Sequence, residues 1–66
     1  MPVVTVNTWD DSLDHETEAT LIATLTDAVA SSLGEHVRAH TTVLVVGIPR
    51  QRWGTAGTPA DGGARP

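Results

Sequence analysis

The sequence predicts an α/β chain made of a single β-α-β unit: two parallel strands, one long helix between them, and a short C-terminal turn or hairpin. Three observations carry this reading. The residues after Met1 are β-branched almost without interruption, a central stretch repeats its apolar residues at helical spacing, and a second apolar run follows it. Length adds a fourth constraint. Sixty-six residues with 39% hydrophobic content make one small domain rather than a disordered segment. A core of that size supplies only about 3–5 kcal/mol unless disulfides, a metal or other subunits add to it. The chain has no Cys, so oligomerisation is expected to complete the fold.

The first strand is expected over residues 2–8, where five of seven positions are Val or Thr. Val4, Val6 and Thr8 point to one face and Val3, Thr5 and Asn7 to the other, so one face is the drier. Pro2 is tolerable at the start, where a ladder donor is least needed. Asp10-Asp11-Ser12 ends the strand and prepares a helix over residues 13–33, with Ser12 or Asp14 as N-cap. Asp14, Glu16 and Glu18 suit the positive end of the helix dipole. Leu21, Ile22, Leu25, Ala28, Val29 and Leu33 form the apolar stripe. Gly34 follows as the residue that closes a helix at positive φ.

Residues 35–40 read as a loop, and residues 41–48 as a second strand. Its centre, Val43-Leu44-Val45-Val46, is continuously apolar, the pattern of a strand covered on both faces and paired in parallel. A strand, a twenty-residue helix and a strand make a right-handed crossover, and Pro49 stops the second strand. Residues 50–66 hold four of the six Gly and two of the four Pro. They read as a turn or short hairpin that ends the domain at residue 57, then a Gly/Pro-rich tail over residues 58–66. Two strands and one helix leave edges unpaired and one sheet face bare. Neighbouring subunits are expected to supply both, which puts any active surface between chains.

Composition excludes several function classes. Four Arg, no Lys and eight acidic residues give a net charge of −4, with no basic stripe for a nucleic acid. No apolar run approaches the length of a membrane span, and the N-terminus has no signal-peptide pattern. The expected compartment is the cytoplasm. Neither a zinc-ribbon nor a disulfide framework is open to a chain without Cys. His15, His36 and His40 lack metal-ligand spacing and read as solvated or locally bonded. The Ser residues have no nucleophile-elbow context, and no GxGxxG follows a strand. The acidic cluster from Asp10 to Glu18 reads as helix-start electrostatics. No metal and no cofactor is expected.

Pro2 is the unusual feature. An initiator Met before a small residue is normally excised, leaving a secondary amine at the chain terminus. An α-amino group titrates near ~7.7–8.0, and an apolar pocket lowers that further by disfavouring the cation. The result is a base at neutral pH, held still by a strand.

The layout as a whole resembles the 4-oxalocrotonate tautomerase subgroup of the tautomerase superfamily, over nearly all of residues 1–57. The matching features are Met1-Pro2 opening a β-branched strand, then a helix with Thr20-Leu21-Ile22 that ends Ser31-Ser32-Leu33. Thr42-Val43-Leu44-Val45-Val46 follows, and last Trp53-Gly54-Thr55-Ala56-Gly57, which is similar to that group's aromatic-Gly-x-x-Gly turn. The resemblance implies a β-α-β subunit in a hexamer, assembled as a trimer of dimers. It implies Pro2 as the general base, or the acid when protonated, on a small carbonyl or enol substrate. Trp53 would form the apolar pocket wall, and the Gly-rich turn would link dimers.

The chain departs from that pattern at the arginines. Family members of this type bind substrate carboxylates with one arginine after the first strand and another at the start of the second. The matching places are near Ser12–Leu13 and at Thr42, where a hydroxyl cannot reproduce a bidentate guanidinium–carboxylate pair. Arg38, Arg50 and Arg52 are the cations available instead, with Arg52 also placed to stack on Trp53. The implied substrate is therefore an enolisable or α,β-unsaturated carbonyl compound other than the usual dicarboxylate. An alternative is a non-catalytic or regulatory subunit, in a homo-oligomer or in a hetero-oligomer with a paralogue. A third reading, a hydratase or dehalogenase, would draw on Asp10 or Asp11 to activate water.

Overall fold

The computed structural model describes residues 1–62. Strand β1 (Val3–Trp9) leads through a 3₁₀ turn (Asp10–Ser12) into helix α1 (His15–Leu33). A second 3₁₀ turn (Glu35–His40) leads into strand β2 (Thr42–Ile48). A third (Arg50–Arg52) precedes the two-residue strands β3 (Gly54–Thr55) and β4 (Thr58–Pro59). β1 and β2 pair in parallel, with Val3 opposite Thr42 and Trp9 opposite Ile48, while β3 and β4 form an antiparallel hairpin. The expected β-α-β unit is present.

Local chemistry explains the boundaries. β1 continues one residue past the expected Thr8, because Trp9 is still extended and pairs with Ile48. α1 begins at His15 rather than residue 13, since Asp14 takes the N-cap: it is extended at φ −141°, and its carboxylate accepts the Thr17 N–H at 2.7 Å. That backbone bond is the main cause that holds the Asp14 carboxyl below its ordinary range. Gly34 closes the helix at φ 114°, as expected. The expected loop over residues 35–40 is a 3₁₀ turn, bound to α1 through a side chain described below.

The C-terminal boundary lies further on than expected. Ala56 and Gly57 both have positive φ, 53° and 83°, which is the tight hairpin turn whose twist matches its flanking strands. Gly57 adopts this freely, whereas Ala56 carries a Cβ there at some cost. The hairpin therefore runs through Pro59, and the Ala60 N–H donates to the Trp53 carbonyl at 2.7 Å. The remainder of the expected tail, residues 63–66, lies outside the described residues.

One face of the sheet is covered. Val4, Val6, Val43 and Val45 are half-buried on the helix side, below Leu21, Leu25, Val29 and Ala30, and Ala30 is the one buried hydrophobic among the described residues. The other face is open: Val3, Leu44 and Val46 are 58%, 48% and 41% exposed. β2 was expected to be covered on both faces, and a single chain has no second layer to do this. Ile22 and Leu33 of the predicted helix stripe are also exposed. The radius of gyration, 15.3 Å, exceeds the roughly 11 Å of a compact domain of this length. No helix among the described residues is long and apolar enough to cross a membrane.

Gly47 sets how closely the first 3₁₀ turn approaches β2. A Cβ there would lie 3.0 Å from Leu13 Cδ1, 3.1 Å from Asp10 Cβ and 3.3 Å from Asp10 Cα. Part of that wall is backbone, which yields poorly. Gly47→Val is expected to destabilise the fold by about 1–3 kcal/mol, read from urea unfolding at a fixed protomer concentration.

Candidate active site

Parallel pairing brings together the residues that precede the two strands. The Thr42 N–H donates to the Pro2 carbonyl at 3.0 Å, so the chain's front end sits beside the exit of the second 3₁₀ turn. A groove of about 360 Å³ opens here, walled by Pro2, Val37, Ala39, His40, Thr41 and Thr42. Met1 reaches over it and is 92% exposed. The Pro2 ring is half-buried. Of the six residues singled out by sequence, Pro2 and Thr42 meet in this groove.

The wall is held by a fixed turn. The Thr41 N–H donates to the Arg38 carbonyl at 3.2 Å, and its hydroxyl donates to the Val37 carbonyl at 2.9 Å. Arg38 ties the turn to α1: its guanidinium donates to Asp27 and to Glu35, each at 2.5 Å. The hydrogen bond from Arg38 holds the Glu35 carboxyl below its usual range, and the two carboxylates together raise the guanidinium's already high pKa. Arg38 was a candidate for substrate binding. It is instead engaged by two carboxylates of its own chain, and it is not among the groove residues.

The remaining candidates lie at the other end of the sheet. β1 is seven residues long, about 20 Å at the strand rise of ~3.3 Å per residue. Arg50, Arg52 and Trp53 follow the far end of β2 and are separated from Pro2 by that length within one chain. There Arg50 donates from Nε to Asp11 Oδ2 at 2.6 Å and lies 3.7 Å above the Trp9 ring centroid. Trp9 meets Trp53 edge to face, centroids 5.9 Å apart. The cation stack thus forms between Arg50 and Trp9, not between Arg52 and Trp53, because the third 3₁₀ turn folds Arg50 back over the end of β1. The indole Nε1 of Trp9 is buried by this arrangement without an acceptor among the described residues. Asp11, a candidate for activating water, is engaged by Arg50.

Two residues at these ends escaped the sequence reading. Trp9 is the last residue of β1, and its role follows once the strand is extended by one position. His40 is two residues ahead of β2 and enters the groove because Thr42 pairs beside Pro2. A wider hollow of about 540 Å³ runs beside α1 from Asp14 to Thr24. It contains none of the candidates. Among the described residues no three His, Asp or Glu side chains are gathered for a metal.

Comparison with known proteins gives one match. The family model described as tautomerase enzyme matches residues 2–61. No curated protein and no solved structure matches the chain.

The carboxylates at the helix cap and at the second turn make stability depend on acid. The Asp14 and Glu35 carboxyls titrate below their ordinary values of 3.8 and 4.5 in the folded chain. Their contribution is complete above those values and is lost as pH falls through the lower, folded ones. Urea midpoints should therefore decline below about pH 4. Asp14→Ala and Glu35→Gln should each flatten that decline while lowering the midpoint near neutrality.

Proposed function

The chain belongs to the tautomerase enzyme family, and from that premise we propose that it isomerises a small enolisable or α,β-unsaturated carbonyl compound. Pro2 is the general base, once Met1 has been removed and its nitrogen is a secondary amine. The observation that carries this reading is the place of Pro2: half-buried, at the foot of a strand, in a groove lined by Val37, Ala39, His40, Thr41 and Thr42. Closed by a neighbouring subunit, such surroundings would disfavour an ammonium ion and favour the neutral amine. While Met1 remains attached, the same nitrogen is an amide and has no basicity.

Members of this family are typically small oligomers that act on small molecules. For this chain we propose a hexamer assembled as a trimer of dimers. The apolar face of Val3, Leu44 and Val46 supports assembly, since open patches of this kind mark interaction surfaces. So does the separation of Pro2 from Trp53 by the length of β1, about 20 Å: Trp53 of the partner subunit would close the groove. Arg50 or Arg52 would come with it and orient an anionic group. Thr42 offers a hydroxyl where a second guanidinium would be needed for a dicarboxylate, so the substrate carries one such group at most.

Two outcomes test this reading. In a Met-free preparation checked by intact mass, Pro2→Ala should slow ketonisation of phenylenolpyruvate by at least about 100-fold; undiminished turnover would reject the proline base. Leu44→Lys should shift the protein to smaller species in sedimentation velocity with its helix content kept. An unchanged sedimentation coefficient would rule out assembly through that face.

A further inference from the structure

We infer that His40 is a second proton-transfer residue of the Pro2 groove, placed to serve as the acid while the terminal amine serves as the base. The inference rests on the proline reading above and adds a partner to it. Among the described residues that line the groove, His40 is the only one with an ionisable side chain. Its backbone has little freedom, since it lies between the Arg38–Thr41 hydrogen bond and Thr42, which is bonded to Pro2. Its imidazole is accessible and has no hydrogen bond or ion pair among the described residues. His15 starts α1, and the ring of His36 lies against Gly34; neither lines the groove.

Few other charges reach this site. From the β1 side Pro2 lines the same groove as His40. From its own turn the nearest cation is Arg38, which is engaged by Glu35 and by Asp27 of α1. From the end of the turn and the start of β2 the neighbours are the hydroxyls of Thr41 and Thr42.

The step balances without any co-reactant. The neutral Pro2 nitrogen takes the proton of an enol O–H. The O–H electron pair becomes the second bond of a carbonyl, and the C=C pair takes a proton from the His40 imidazolium to form a C–H bond. Pro2 has gained one proton and His40 has lost one. Passage of that proton from Pro2 to His40 through water restores both.

The chain has no Lys, so among amines an acetylating ester modifies only the terminal nitrogen of Met-free protein. Acetylation should move the NMR resonances of the His40 ring and leave those of His15 and His36 in place; an unmoved His40 overturns the juxtaposition whether or not a substrate is known. In the phenylenolpyruvate assay, His40→Gln should lower kcat by about 100-fold with KM and sedimentation unchanged. It should also remove one limb of a bell-shaped kcat/KM pH profile. Full activity with both limbs kept, beside an inactive Pro2→Ala, overturns the role of His40 and leaves the proline base standing. Full activity in Pro2→Ala removes both.

Discussion

Val3 pairs with Thr42 and Trp9 with Ile48 in one parallel ladder, and this alignment decides what lies at each end of the molecule. Parallel strands share a direction, so their beginnings meet at one end and their endings at the other. The front of the chain is thereby placed beside the residues that enter β2, which form the groove around Pro2. The exits of both strands meet 20 Å away, where Trp9, Asp11, Arg50 and Trp53 lock together. A slip of one residue would turn the half-buried Val4 and Val6 outward and would separate Pro2 from Thr42. The pairing of the apolar faces and the composition of the groove are one constraint.

The same topology leaves the unit unfinished. One helix covers one sheet face, and a sheet of two strands has two edges and no central strand. Val3, Leu44 and Val46 on the bare face, with Ile22 and Leu33 on the helix, are apolar surface that water meets in a single chain. Burial at about 25 cal/mol per Å² makes covering that surface the largest stabilisation still available to a chain without disulfides. The proposed oligomer would thus serve the core before it serves the chemistry. Joining the two ends of different protomers follows from the same need, since a groove open on one side gains its missing wall when a neighbour docks.

Most of the fold was legible in the sequence because its signals are local. The β-branched run, the helical spacing from Leu21 to Leu33 and Gly34 each act within a few residues, and the element order followed from them. The errors lie where local signals are silent. Trp9 does not alternate with a polar neighbour, so the strand end was placed one residue early. Pro59 looks like a tail residue until the Ala56–Gly57 turn folds it back onto Gly54. The site was less legible. Pro2 stood out because its chemistry depends on position alone. The destinations of the arginines depend on partners eleven and thirty-nine residues away, Asp27 for Arg38 and Asp11 for Arg50, and no spacing rule reports such pairs. His40 could have been found by asking which residues a parallel register sets beside Pro2.

On the proposed reading of Pro2 as a base, the charge balance around the groove bears on how that base would work. A nearby guanidinium would lower the amine's pKa by like-charge repulsion and bind an anionic substrate as well. Among the described residues Arg38 belongs to the turn that walls the groove, and its guanidinium is held by Asp27 of α1 and by Glu35 of its own turn. The neutral form of the amine must then be favoured by loss of water rather than by a neighbouring cation. Desolvation of that kind needs a closed apolar wall, and a groove open to solvent supplies only part of it. On that reading basicity near neutral pH and subunit assembly are linked: an isolated protomer would expose the same nitrogen to water, where the ammonium form is stabilised and the proton is not readily moved between carbon and oxygen.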